Sequence, residues 1–411
     1  MPVILPSEAL DGAAPEPPRP IVWLGVFVVF MIAFVVAALL TWPKGEPTGS
    51  AWFWIRLLGL PALAWCVVFG LRLHYYDDET ARREARMELR RQERNKAIEF
   101  ASEPLAVLGH AFLSAAGEAS LSEHVLNGNT LLSARKATAG NDAIRHTVLN
   151  SDEGATLLDR YRWCFEKLLE QMSETLDAVP YDIPLAVGLH VPAGEQQADI
   201  VAAWSDCWKS KRLRDAAAEL IQTEQGVMMV DEWLDIWGGP SLEKFMLLVS
   251  VQLHAAPPPG SGEAAVALLL GWAPLAERRG VPSLALLHRP IVADVAEPRE
   301  GISKALLWGR AQAKRINDLW QAALEREDKT TLLECASGLS LGLSQTSGLP
   351  GVHDIDTVIG DAGVCSGWLA IGLGAAQASS AGTPQLIAWR EGSLRIAVVQ
   401  PVIQEEVEAT A

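Results

Sequence analysis

Cysteine is scarce in this 411-residue chain. The five thiols (Cys66, Cys164, Cys207, Cys335 and Cys365) are odd in number, far apart and never arranged as C-x-x-C, which excludes a disulfide framework and a cysteine-built zinc site. None of the eight histidines falls in an H-x-x-x-H or H-E-x-x-H spacing, so no metal is implied. There is no Walker A loop and no G-x-G-x-x-G, and no cofactor is expected. Basic residues are also short. The net charge is −16, and the first 96 residues are close to neutral, so nearly all the excess acid belongs to the rest. An acidic body of this kind is a poor nucleic-acid binder.

What the chain has in quantity is apolar sequence. Residues 21–42 carry no charge and are long enough to span a bilayer as a helix. The preceding segment holds Glu8, Asp11 and Glu16 against Arg19, unlike the basic start of a signal peptide. Residues 51–71 form a second candidate span, in which Arg56 can snorkel to the interface and Pro61 predicts a kink. Trp42, Trp52 and Trp54 cluster around the short connection, as an aromatic belt would. The alternative is a buried hairpin of a soluble core. Arg72, Arg82, Arg83, Arg86, Arg90, Arg91, Arg94 and Lys96 come after the second span, while the loop at 43–50 holds only Lys44. The positive-inside rule then puts residues 72–411 and the N-terminal tail (1–20) in the cytoplasm. The expected order is tail, two-pass hairpin (21–72) and charged juxtamembrane helix (73–103). The arginines at its start, Arg72, Arg82 and Arg83, fit contact with anionic headgroups or a solvated helix with i,i+4 pairs.

Beyond residue 103 the pattern changes. Apolar runs without alternation at 104–117, 183–191, 245–253, 263–273 and 284–292 predict buried strands. Helical spacing recurs over 155–178, 198–223 and 302–327. TTLLE at 330–334 predicts a strand, DTVIG at 356–360 follows a strand pattern, and 386–399 predicts a hairpin turning at Glu391-Gly392-Ser393. Strands of this kind separated by helices indicate an α/β domain with its sheets covered on both faces, in two halves of similar order. The segment 360–382 is unusual: Gly363, Gly367, Ala370, Gly374 and Ala378 are spaced 4, 3, 4 and 4, one stripe of small residues on a helix. A tight helix contact or a third membrane span would each use such a stripe.

The order of elements over 104–402 resembles the thiolase superfamily, and within it the β-ketoacyl synthases. PLAVLGHAFLSAAG resembles their opening strand and turn, MLLVSVQL with GEAAVALLLG their paired core strands, and VIGDAGVCSGWLAIGLGAA their K-x-x-x-G-H-x-x-x-A-A-G segment. LLECASGLS sits where they carry E-A-H-G-T-G-T. The resemblance implies a duplicated αβαβα domain with halves at 104–295 and 296–411. The small-residue stripe would then lie in its middle layer. It also implies a catalytic cysteine at the start of the first central helix and two histidines in the second half. At the matching positions stand Asp231, Ser337 and Asp361, so the expectation is a protein without catalytic residues. A fainter resemblance, in overall build, is to the membrane-tethered adaptors encoded beside type VI secretion lipase effectors. It implies a bacterial inner-membrane protein whose partner is a secreted effector, and the superfamily's usual dimer adds a second copy as a partner. The rival expectation is a divergent acyl-condensing or acyl-transferring enzyme, with Cys207, Cys335 or Cys365 as nucleophile.

Overall fold

The computed structural model describes residues 3, 5–6, 14–43, 47–117, 121–136, 143–149, 155–194 and 196–402. Much of the tail and Lys44 lie outside the described residues. Two compact units are present, Val3–Ala97 and Ile98–Ala411.

In the first unit, α1 (Pro20–Thr41) opens on a proline, whose missing N–H costs nothing at a helix start. After α2 (Ala51–Trp54) comes a π-helical turn, Ile55–Gly59, and then α3 (Leu60–Ala101). These run on as one helix, and both it and α1 are long and apolar enough to cross a membrane. The π turn stands where a kink was expected. Pro61 cannot bond the carbonyl four residues back, and the Leu60 N–H bonds Ile55 O instead. Rings join the two helices: Phe27 lies edge-on to Trp65 at 5.0 Å, and Trp65 Nε1 donates to Trp23 O at 3.3 Å. Trp42 packs on Phe53 at 4.9 Å, Trp52 and Trp54 are exposed, and Arg56 is half-buried in the π turn. Arg72 donates to Glu16 O, Arg82 pairs with Asp78 at 2.8 Å, and Arg83 is half-buried. No break separates the second apolar stretch from the charged one; the juxtamembrane segment is the continuation of α3.

The second unit runs β1 (Leu105–Leu113), α4 (Leu121–Leu126), β2 (Ser133–Lys136), β3 (Ala143–His146), α5 (Leu157–Gln171), α6 (Ser173–Asp177), β4 (Leu185–His190), α7 (Gln197–Ser210), β5 (Ala218–Leu220), α8 (Met229–Leu234), β6 (Phe245–Gln252), β7 (Ala264–Trp272) and α9 (Ala273–Arg278). It continues with β8 (Ala285–Leu287), β9 (Ile291–Ala293), α10 (Pro298–Trp308), β10 (Asp318–Ala322), α11 (Arg326–Gly338), β11 (Val352–Asp354), α12 (Ile355–Ile359), α13 (Ser366–Ala381), β12 (Gln385–Glu391) and β13 (Ser393–Pro401).

The main sheet has the order β11-β10-β12-β13-β8-β1-β7-β6-β4-β5, with β9 paired to β13. Outward from its middle, each half repeats one scheme. β1-β7-β6-β4-β5 and β8-β13-β12-β10-β11 are each joined antiparallel, antiparallel, parallel, parallel. In chain order both read first, fifth, fourth, second, third strand. β1 and β8 meet antiparallel where the halves join. The duplication is therefore plain in topology although the two sequences are unlike. It moves the boundary: β8 opens the second half, so 284–292 does not close the first, and a division at 295 falls after the second repeat has begun.

β1 shows why its strand lacks alternation. Leu105, Val107 and Phe112 face one core with α13, while Ala106, Leu108, Ala111 and Leu113 face a second core with α5 and α7. Helices α10 and α11 pack together, with α10 on β9 and β13. The stripe of small residues lies in α13. A Cβ on Gly374 would meet Ile387 of β12 at 2.8 Å, and one on Gly367 would meet Trp389 of β12 and Val227. Gly363, in a 3-10 turn before the helix, is held at φ 52 against Gln252. Ala370 and Ala378 are fully buried. The stripe thus meets strand side chains and a short turn rather than a full-length partner helix.

Four local expectations fail. Helix 302–327 stops at Trp308, and 318–322 is the parallel strand β10. TTLLE is helical in α11, opened by a capping box between Glu325 and Asp328, with the hydroxyls of Thr330 and Thr331 bonding carbonyls one turn back. DTVIG is the short helix α12, and the pattern at 198–223 ends as helix at Ser210. Short apolar runs carry no period long enough to separate strand from helix.

Candidate ligand-binding cleft

The segments that follow β5 and β12 meet in a cleft. After β5 the chain passes through Thr223 and Glu224 into a 3-10 turn, Gly226–Met228, and then α8. After β12 it turns through Gly392 into β13, which carries Arg395. Thr223, Glu224, Glu391, Gly392, Ser393 and Arg395 line a cavity of about 350 Å³. By the repeat, the 3-10 turn and α8 occupy the place of α13 in the second half. α13 has 16 residues and α8 has 6. The first central helix is thus cut to little more than a stub.

The start of that stub is filled by a carboxylate. Glu391 Oε2 accepts from the Val227 N–H at 3.1 Å and from Trp389 Nε1 at 3.4 Å. Gly226, at φ 46, leaves no room for a side chain, because its Cβ would overlap the Glu391 carboxylate. Burial pushes the Glu391 carboxyl above its usual range, although both hydrogen bonds favour the ionised form. Burial pulls Arg395 below its usual value, against the attraction of Glu391 and Asp231.

Behind the cleft lies a buried ion cluster. Arg289, with its side chain wholly buried, donates to Asp231 at 2.7 Å, to Asp235 and to Leu234 O at 2.8 Å. Its guanidinium also lies 5.4 Å from the Phe100 ring, which stacks on the exposed Trp237 at 4.2 Å. Burial raises Asp231 despite its hydrogen bond to Arg289.

The three expected positions do not gather at this cleft. Asp231 stands inside α8, past the start of the stub, and serves Arg289. Ser337 is exposed in the last turn of α11, and the strand exit before that helix is at Ala323, with φ 52. A match of Ser337 to a strand-end loop therefore loses its basis. Asp361 is exposed and accepts from the Gly363 N–H at 2.9 Å and the Ser366 hydroxyl at 3.4 Å, a cap for the turn leading into α13.

Sequence reasoning misses Glu224, Arg289 and Arg395 because they carry no motif, and it gives Glu391 and Ser393 only a turn. The expectation that no G-x-S-x-G occurs is also wrong: Gly338-Leu339-Ser340-Leu341-Gly342 has that spacing. Ser340 sits at φ 54, but it comes after α11 and closes its C-terminus, with Leu341 N–H bonding Ala336 O. That is a helix cap, not the strand-to-helix elbow that spacing needs.

Cys365 closes the turn before α13, against the Ser250 hydroxyl at 3.2 Å and Ala264 O at 3.3 Å, and burial pushes its thiol up to about 12. Cys207 is pushed up to about 11 by burial, and Cys164 is raised for the same reason. Cys335 lies half-buried on α11.

No family model matches this chain, and no curated protein does. Solved structures do. The ketosynthase from module 1 of the bacillaene synthase of Bacillus amyloliquefaciens FZB42 superposes with a TM-score of 0.54 at 13% identity, over 76% of this chain and 75% of that one. The ishigamide ketosynthase/chain length factor gives 0.52 at 12%, over 73% and 100%. An oxazolomycin ketosynthase domain from Streptomyces albus JA3453 gives 0.50 at 14%, over 73% and 96%. The fold is that of the β-ketoacyl synthases, within the thiolase-like class.

Proposed function

We propose that this chain is a membrane-tethered binding protein built on a condensing-enzyme fold, without condensing chemistry of its own. One observation carries the reading. The stub matching the first central helix holds no cysteine, and its leading N–H is taken by the Glu391 carboxylate. Condensation needs a thiolate at that place and imidazoles to steady charge and move a proton. The cleft offers Glu224, Glu391 and Arg395 instead. Thiols held at about 11 and 12 are almost wholly protonated near neutral pH and attack thioesters poorly.

In this reading α1 and the first part of the following long helix cross the inner membrane, and the acidic second unit works in the cytoplasm. Its partner is a protein, and the resemblance in overall build names a type VI secretion effector as the one to test. The opposing reading, an acyl-transferring enzyme, draws on structural neighbours that are themselves ketosynthases. Incubation of the detergent-solubilised full chain with acyl-thioesters, followed by intact mass measurement, separates the two. No adduct is expected. A stoichiometric acyl adduct on one cysteine, lost when that cysteine is replaced, makes the protein an enzyme.

A further inference from the structure

We infer that the cleft between β5 and β12 binds a carboxylate, with Arg395 as its anchor. This deepens the binding reading above by naming a ligand class for the same cleft. A guanidinium carries five N–H donors in a flat fork that matches a carboxylate. The other buried and half-buried arginines of this unit spend their forks on structure: Arg289 on Asp231 and Asp235, Arg160 on Glu263, Arg390 on Asp328 and Glu325, Arg214 on two carbonyls. Arg395 is different. Its side chain makes no hydrogen bond or ion pair among the described residues, and its Nε is buried without a partner. Leaving charged donors half-buried and unmet is costly, so a site that keeps them has a use for them.

The nearby acids do not close on Arg395. Glu391 is engaged by Val227 and Trp389, and Asp231 by Arg289. Arg395 lines the cavity of about 350 Å³, a volume within the range of small-ligand pockets. The hydroxyls of Thr223 and Ser393 line the same cavity and are likewise without hydrogen bonds among the described residues. The turn beside them is open: a Cβ on Gly392 would meet nothing within 4 Å. Charge selects the ligand class. Glu224 and Glu391 flank the cleft, so a single negative charge on a flat two-oxygen group is accommodated better than a phosphate dianion.

The test is calorimetric titration of the detergent-solubilised full chain with acetate, succinate and inorganic phosphate at chloride-matched ionic strength. Saturable binding of the carboxylates is expected, with phosphate weaker. Arg395→Gln should weaken carboxylate binding at least tenfold, and Arg395→Lys, which keeps charge but loses the fork, should recover only part. Thr223→Val, at an exposed position, should weaken it a few-fold and decides the matter if the Arg395 variants do not fold. The inference is overturned by no saturable signal in the parent, by binding that survives both Arg395→Gln and Thr223→Val, or by phosphate binding tighter than either acid. None of these results touches the acyl-adduct measurement, so the two readings fail separately.

Discussion

Replacing Arg289 with methionine should be the most damaging single change at the candidate site. The side chain is wholly buried, and it compensates two carboxylates, Asp231 and Asp235, that are themselves only 16% and 20% exposed. Removing one partner from a buried ion pair costs about 3–5 kcal/mol, because the remaining charge is left in a poorly solvated place. Water reaches both aspartates to some extent, which favours the lower end, about 3 kcal/mol. With about 2 °C per kcal/mol for a unit of this size, the melting temperature should fall by about 6 °C. The pH dependence gives a sharper check. Burial already raises Asp231, and without Arg289 its carboxyl must rise further. A carboxyl whose folded value exceeds its unfolded one contributes stability below the unfolded value and loses it as pH rises through the folded one. The deficit of Arg289→Met against the parent should therefore shrink on acidification from about pH 7 to about pH 5. Adding Asp231→Asn should recover part of the loss, a coupling that a double-mutant cycle reads directly. Thermal melts of the full chain in detergent across that range suffice. A variant melting within about 1 °C of the parent, or a deficit that grows on acidification, would refute the argument.

Two further outcomes concern groups away from the cleft. Gly374→Leu should cost about 1–3 kcal/mol in the same melts, since a Cβ added there would meet Ile387 at 2.8 Å; an unchanged melt would show that α13 has room to move away from β12. Asp356, lifted to about 6 by burial while accepting from Ala323 N–H, contributes stability at low pH that is lost as pH rises from about 4 through 6. Asp356→Asn should flatten that part of the stability profile by on the order of 1–3 kcal/mol, and identical profiles by denaturant titration would disprove it.

The sheet is legible in the sequence because its core strands are covered on both faces. β6 and β7 are buried almost end to end, so their sequences read as unbroken apolar runs that no solvent-facing element could carry. β10 is not legible. Its five residues are apolar enough for a strand and continue a helical pattern without a proline, and only parallel pairing with β11 and β12 decides its form. Asp361 shows the limit at the site. An acid before a helix reads in sequence as a lost catalytic position, and in the structure it is an ordinary cap. Arg395 is silent in sequence because one arginine on an apolar strand has no period and no motif; its meaning comes from β5, far away in the chain.

The duplication lets the two halves of the fold be compared element by element. Strand order is fixed by buried runs shared by both halves, and those runs lie on either side of the middle layer. That layer is not held equally. α13 is buried along most of its length, with Trp368, Leu369, Ile371 and Leu373 fully enclosed, so shortening it would open a large cavity. The opposing stub is tied by a few groups: Val230, Trp233 and Leu234 in the core, Arg289 across Asp231 and Asp235, and Glu391 on the Val227 N–H. Those ties replace a long helix with a short one capped by a carboxylate from the other half. Under the proposed binding reading, the cavity, two hydroxyls and the Arg395 guanidinium beside it are the groups that would hold an anion.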